Sequence, residues 1–290
     1  MTDAHHEPAG RPRPRWLPAS PWRSSCCGHG THRGGTTRES VGIIGVGEIG
    51  RAVVAGLRHG DGRWCFLSPR GARTAAELAE RHEGVEVCAG NQEVVDRAEL
   101  VILAVRRRDW RDALAGVRVD GKIVVNVMAG VGHDDLRRTL GAGTTLVRAI
   151  PLPTVRERRS VTVVHPSHPE VDAFFARLGG ALPVADEAAF DVLSALTGTL
   201  TTHYAYLAAL ASWATGHGIS PGDADRYVRG LFQGVGRSLG DETRSLARLA
   251  ADHETPQGNN ERIRTTWFTP ANVEALTQAL DGLLADLRSR

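Results

Sequence analysis

Gly45, Gly47 and Gly50 fall in the spacing Gly-x-Gly-x-x-Gly, with Glu48 and Ile49 inside the run. Each glycine has its own task in such a run. Gly45 permits a tight turn, Gly47 lets backbone N–H groups approach a pyrophosphate, and Gly50 lets a helix lie close on a sheet. The phosphates would sit at the positive end of that helix. Glycines also gather in ordinary turns, and the chain has 33 of them, so the flanks decide. Val41, Ile43 and Ile44 are β-branched, as in a buried strand, and Ile49, Ala52, Val53, Gly56 and Leu57 recur at helical spacing. Strand, glycine loop and helix together are a dinucleotide-binding signature.

An NAD site carries an Asp or Glu about 20 residues beyond the glycines, where it holds the ribose hydroxyls. Here that region reads Ser68-Pro69-Arg70-Gly71-Ala72-Arg73. A hydroxyl and two guanidinium groups suit a 2′-phosphate, which an acid would repel, so the cofactor expected is NADP(H). Taken singly, either arginine reads equally well as a solvated surface charge. Asn91, Ala104, Val105, Arg106 and Ala129 join the candidate cofactor contacts, because ligands of open α/β sheets gather at the carboxyl ends of the strands. Arg106-Arg107-Arg108 is a charge run, and only its place at a strand end distinguishes Arg106 from a solvated face.

The elements that must position these residues follow from the pattern. Strands are expected at Trp64–Leu67, Val85–Val87, Leu100–Val105, Lys122–Val127 and Thr145–Ile150, with helices at Thr74–His82 and from Asn91 onward. Strands alternating with helices specify an α/β fold with a Rossmann-like, doubly wound parallel sheet. Beyond Val161–Val164 and a strand-like Leu182-Pro183-Val184 the chain turns helical, with long candidates at Ala188–Gly216, Pro221–Gly240 and Asn272–Leu287. The expected domains are a disordered tail over 1–40, an NADP-binding domain over 41–166 and an all-helical dimerisation and substrate domain over 167–290.

The tail holds six arginines against three acids and five prolines, with no apolar periodicity. It lacks the apolar core of a secretory signal, and it is absent from the native protein if translation starts nearer Val41. The rest, with 29 basic and 30 acidic residues, is near neutral, which points away from nucleic acid and anionic membranes. No run approaches the length of a membrane span. The localisation expected is cytoplasmic. His5, His6, Cys26, Cys27, His29 and His32 lack the spaced pairs of a zinc site, so no metal is expected; Cys65 and Cys88 read as buried hydrophobes.

At this point residues Val41 to Leu287 resemble the pyrroline-5-carboxylate reductase family, enzymes that reduce a cyclic imino acid to proline. The resemblance rests on Val41 to Gly50, on Ala98 to Val105, and on Arg148-Ala149-Ile150-Pro151-Leu152-Pro153 beside the family's Arg-x-Met-Pro-Asn-x-Pro. It continues with Leu196-Thr197-Gly198-Thr199 beside Ser-Gly-Ser-Gly-Pro-Ala, and Thr255-Pro256-Gln257-Gly258-Asn259-Asn260 beside Ser/Thr-Pro-Gly-Gly-Thr-Thr. It implies an NADP domain, a helical domain that interlocks with a second subunit as a homodimer, and a small imino acid substrate. It further implies that Thr255, Gly258, Asn259 and Asn260 hold the substrate carboxylate, and that Thr199, Thr255, Asn259 and Asn260 are the active-site polar groups. A plain helix cap is the other reading of that turn. The chain departs from the family at Arg106-Arg107 for Lys-Pro, Leu152 for Asn, Leu200-Thr201-Thr202 for Gly-Pro-Ala and Asn259-Asn260 for two threonines. A different imine is therefore open as substrate.

Three rivals share the first half. Hydroxyacid dehydrogenases of the 6-phosphogluconate type use a lysine from the helical half, whereas the one lysine here is Lys122 at the start of the fifth strand. A reductase pairing deazaflavin F420 with NADP would resemble the nucleotide half equally well, but not the helical half with its Thr255–Asn260 turn. A non-catalytic NADP-binding sensor or scaffold is the reading from another class.

Overall fold

The computed structural model describes residues 40–58 and 63–289. The expectations for residues 1–39, the histidine and cysteine cluster among them, lie outside the described residues. β1 (Val41–Ile44) leads into α1 (Glu48–Arg58), β2 (Cys65–Leu67) into α2 (Ala72–Arg81), and β3 (Val85–Val87) into α3 (Asn91–Arg97). β4 (Leu100–Leu103) passes through a 3-10 turn at Arg107–Asp109 into α4 (Trp110–Leu114), followed by β5 (Ile123–Asn126), α5 (His133–Leu140) and β6 (Thr145–Ile150). These six strands are parallel, in the order β3-β2-β1-β4-β5-β6.

Alternation along the strands explains why both faces of the sheet are covered. Val41 and Ile43 of β1 and Leu100 and Ile102 of β4 point to one face, where they pack with Val53, Leu57, Leu78 and Phe174. Ile44, Val101 and Leu103 point to the other, against Val94, Val95, Leu114 and Leu136. Apolar residues at both parities of a strand require an apolar layer on each side. The strand order reverses between β1 and β4, which leaves a crevice at their carboxyl ends.

The sheet does not stop at the expected end of the nucleotide domain. A 3-10 turn at Pro153–Glu157 leads to β7 (Thr162–His165), then α6 (Pro169–Ala176) and β8 (Ala181–Pro183). β7 pairs antiparallel with β6, with Ala149 opposite Val164, and β8 pairs parallel with β7. Eight strands form one sheet, so residues 167–183, assigned in advance to an all-helical domain, complete the sheet. We propose the boundary between the two halves near Asp186, the N-cap of α7.

The helical half consists of α7 (Glu187–Leu196), α8 (Thr199–Gly216), α9 (Pro221–Ser238), α10 (Leu246–Asp252), α11 (Asn259–Trp267) and α12 (Pro270–Arg288). The single helix expected over Ala188–Gly216 is broken at Thr197-Gly198. Thr197 Oγ1 donates to the Ser194 carbonyl at 2.7 Å, and a Cβ at Gly198 would stand 2.8 Å from Leu283 Cδ2 of α12. The break lies where α12 crosses. Tyr206 of α8 stacks on Trp267 of α11 with ring centroids 5.5 Å apart and meets Phe232 of α9 edge-on at 5.8 Å.

Despite these contacts, α8, α11 and α12 contain no buried residue. Tyr204, Trp213, Tyr227 and Leu231 are all more than half exposed. No helix among the described residues is long and apolar enough to cross a membrane.

Candidate functional site

The crevice at the β1–β4 switch point is a cavity of about 340 Å³ lined by Gly45, Gly47, Arg70, Ala104, Val105, Arg106, Arg108 and Asp109, among others. Gly45 sits at φ 99°, and a Cβ there would stand 2.7 Å from the Ala104 carbonyl. Only glycine fits that turn. A Cβ at Gly47 would meet nothing within 4 Å, so the backbone there is open to a ligand. Gly50 lies against the Gly45 carbonyl, 2.7 Å from where its Cβ would be, which sets α1 close to the loop. The first intrahelical bond of α1 runs from Arg51 N to Gly47 O at 3.0 Å, leaving the preceding N–H groups available to an anion. An open glycine backbone, a helix start and three guanidinium groups fit a phosphorylated dinucleotide.

The expected cofactor residues divide by position. Gly45, Gly47, Arg70, Ala104, Val105 and Arg106 line the crevice. Ser68 lies beneath it, fully buried, with Oγ accepting the Gly45 N–H at 2.9 Å; it shapes the loop and does not face the ligand space. Arg73 does not line the crevice. It is the second residue of α2, largely in solvent, and pairs with Glu77 at 2.9 Å. Glu48 turns away to Arg156 at 3.0 Å and Arg51 at 3.6 Å, so its carboxylate is kept from the phosphate space. Ile49 packs against the core, and Asn91 donates from Nδ2 to the Ala113 carbonyl at 2.8 Å. These are scaffold contacts.

A larger cavity, about 530 Å³, opens at the carboxyl ends of β5 and β6. Its walls include Met128, Ala129, Gly130, Ile150, Leu152 and Thr197. Asn126, almost fully buried at the end of β5, shapes the loop by donating to the Val131 carbonyl at 2.7 Å and accepting the Met128 N–H at 2.9 Å. On the cavity's charged side, Arg148 Nη1 lies 3.2 Å from Glu187 and 3.5 Å from Asp191, and its guanidinium covers the Phe190 ring at 4.3 Å. That cluster ties α7 to β6. His133 Nδ1 stands 3.6 Å from the same Glu187 carboxylate. Burial, above all, pushes the His133 imidazole down to about 4; Glu187 pulls it up, while Arg137, Arg148 and His165 push it further down. It is neutral near pH 7.

The residues carried over by resemblance fall elsewhere in the chain. Thr199 does not line either crevice, and its Oγ1 donates to the Leu196 carbonyl at 2.7 Å. Thr197, two positions earlier and the C-cap of α7, is the one that lines the cavity. Thr255, Gly258, Asn259 and Asn260 form a tight turn leading into α11, closed by Gly258 N on the Thr255 carbonyl at 2.7 Å. Asn260 Nδ2 donates to the His253 carbonyl at 2.7 Å, and the Glu261 carboxylate accepts the Gln257 N–H. Arg264 pairs with Glu254 across the turn and holds its carboxyl below the usual range. The N–H groups of Asn259 and Asn260 precede the first bond of α11, from Arg262 N to Gly258 O, and suit a carboxylate. Within one chain the turn lines neither crevice.

Reasoning on the sequence missed Asp109, Asn126, His133, Glu187 and Asp191. Asn126 carries a visible signal as the one polar residue of β5, and Arg148 as the one charged residue of β6. Lys122 donates to the Ala98 and Asp96 carbonyls at 2.7 and 3.4 Å, at the amino end of β5, so it is remote from the carboxyl-end crevices. Cys65 and Cys88 are buried thiols whose pKa values are raised, chiefly by that burial.

Residues 40–130 match the family described as NADP oxidoreductase, coenzyme F420-dependent. A pyrroline-5-carboxylate reductase from Escherichia coli (strain K12) is 24% identical over 264 residues, spanning 84% of this chain and 96% of that protein. Pyrroline-5-carboxylate reductase 1 from Dictyostelium discoideum is 27% identical over 128 residues, 42% of this chain and 23% of that protein. Among solved structures, Plasmodium falciparum pyrroline carboxylate reductase with NADP bound aligns with a TM-score of 0.71 at 13% identity, over 88% of this chain and 99% of that one. The reductive aminase from Aspergillus terreus in complex with NADPH and ethyl levulinate aligns at 0.56 and 18%, over 87% and 95%. At these identities the structural likenesses establish the fold.

Proposed function

We propose that the chain is a divergent member of the pyrroline-5-carboxylate reductase family and that it uses NADPH to reduce the C=N bond of a cyclic imino acid, pyrroline-5-carboxylate or a close analogue. The observation that carries this reading is the pair of crevices on one edge of the sheet. One is an open glycine backbone ringed by arginines, at the carboxyl ends of β1 and β4; the other is walled by residues following β5 and β6. β4 and β5 are adjacent in the sheet, so a dinucleotide anchored in the first can reach toward the second. The cofactor supplies the hydride.

What remains for the chain's own residues is placement. A protonated C=N is already electrophilic, so holding it at the right distance and angle accomplishes most of the catalysis. Met128–Gly130 and Ile150–Leu152 form walls for the ring, and Ser194 and Thr197 offer hydroxyls beside them. The N–H groups of Asn259 and Asn260 are suited to the substrate carboxylate, supplied by the turn of a second copy of the chain. Support for a homodimer comes from the unburied aromatic and leucine side chains of α8 and α9. We assign the protein to the cytoplasm on the free, buried thiols of Cys65 and Cys88 among the described residues.

Leu152 favours a second reading within the same chemistry. An apolar side chain lines the cavity where the family resemblance implies an asparagine, which suits a larger, less polar imine. Steady-state oxidation of NADPH with a panel of cyclic imines, with and without a carboxylate, tests both. Turnover is expected with at least one. Tight NADPH binding without turnover of any would leave a sensor or scaffold.

A further inference from the structure

Arg70 reaches the nucleotide crevice from the loop after β2, and Arg106 and Arg108 reach it from the loop after β4, on opposite sides of β1. Between them stands one carboxylate. Asp109 Oδ1 lies 3.1 Å from Arg70 Nη2, and Oδ2 lies 3.8 Å from Arg108 Nε. Asp109 is the more enclosed partner, its side chain 24% exposed against 55% for Arg70 and 74% for Arg108. The three guanidinium groups and one carboxylate lining the crevice leave an excess of two positive charges, the charge of a phosphate dianion with sign reversed.

We propose that Asp109 is a specificity-determining residue of this site, the built-in counter-ion that a 2′-phosphate displaces from Arg70 and Arg108. The inference rests on the reading that the crevice takes NADPH. An exposed ion pair contributes little to holding Arg70 in place. The repulsion between a carboxylate and a phosphate gathered by the same guanidinium groups acts at short range and is the larger effect. Asp109 therefore weakens NADPH binding. A dinucleotide with a plain 2′-hydroxyl leaves the Arg70–Asp109 pair intact and is little affected. The carboxylate sets how strongly the site discriminates.

Calorimetric titration of the full-length, nucleotide-free protein tests this without turnover. Replacing Asp109 by Asn should tighten NADPH and adenosine 2′,5′-bisphosphate roughly three- to tenfold, with NADH and ADP within about twofold of wild type. Asp109→Glu keeps the charge and should retain the wild-type ratio, which separates electrostatics from lost packing; thermal melting verifies that both variants fold. NADPH binding unchanged or weakened by Asp109→Asn, in a protein whose wild type prefers NADPH to NADH, would overturn the proposal. Equal wild-type affinity for NADPH and NADH would overturn the cofactor reading itself, and this inference with it.

Discussion

Gly45 and Gly47 stand two residues apart in one loop and should fail in different ways when replaced. Gly45→Ala forces a side chain into a left-handed backbone and against the Ala104 carbonyl, at a cost of about 1–3 kcal/mol before the clash is counted. Its expected mark is a lowered melting temperature. Gly47→Ala meets no protein atom, so its melting temperature should hold while NADPH binding weakens by tenfold or more, measured by titration. Arg70→Asp should abolish the preference for NADPH over NADH; an unchanged ratio of dissociation constants would remove Arg70 from phosphate recognition. The glycine spacing and Arg70 were legible in the sequence because a local motif fixes them. Arg73 was not, because Glu77 four residues on offers it a partner on the same helix face. Asp109 was invisible for the opposite reason: its partner Arg70 lies 39 positions away in a different loop.

At the scale of elements, α7 is fastened to the sheet by charge. Arg148 in β6 supplies the cation to Glu187 and Asp191, and the neutral His133 at the start of α5 stands beside Glu187. The folded imidazole, depressed to about 4, stays neutral where an unfolded one, at the ordinary 6.5, takes up a proton. Its stabilising contribution is therefore complete above about pH 6.5 and is lost as the pH falls toward 4, by roughly 2–3 kcal/mol. Chemical denaturation at a series of pH values should show that loss in the wild type and a flatter profile in His133→Leu. Periodicity marked the strands well, since Val85–Val87 and Thr145–Ile150 have the expected bounds. It marked β7 and β8 as strand-like at Val161–Val164 and Leu182-Pro183-Val184 but not that α6 and β8 belong to the sheet, which depends on strand pairing, nor the break at Thr197-Gly198, where Leu283 of α12 crosses from about 85 residues away.

For the whole molecule, the open question is what covers the exposed apolar helices. Tyr227, Leu231, Val235 and Leu239 recur every four residues along α9 and its C-cap, each at least 40% exposed, a stripe that a second copy would bury. If that copy also supplies the Thr255–Asn260 turn, Leu231→Glu should give a monomer by sedimentation. Imine-dependent turnover should then fall at least tenfold with NADPH affinity unchanged. A dimeric Leu231→Glu protein would move the interface elsewhere. Composition and helical pattern announced an apolar helical half, but which of its faces meet each other and which stay open depends on tertiary packing. The central claim concerns the hydride, and the most direct measurement follows it. NADPH carrying deuterium at the transferable position is incubated with the protein and the imine that supports the fastest turnover, and the product is analysed by mass spectrometry. The account predicts a saturated amine bearing one deuterium at the former imine carbon. Oxidised cofactor with an unlabelled product, or bound cofactor with no product from any imine, would contradict it.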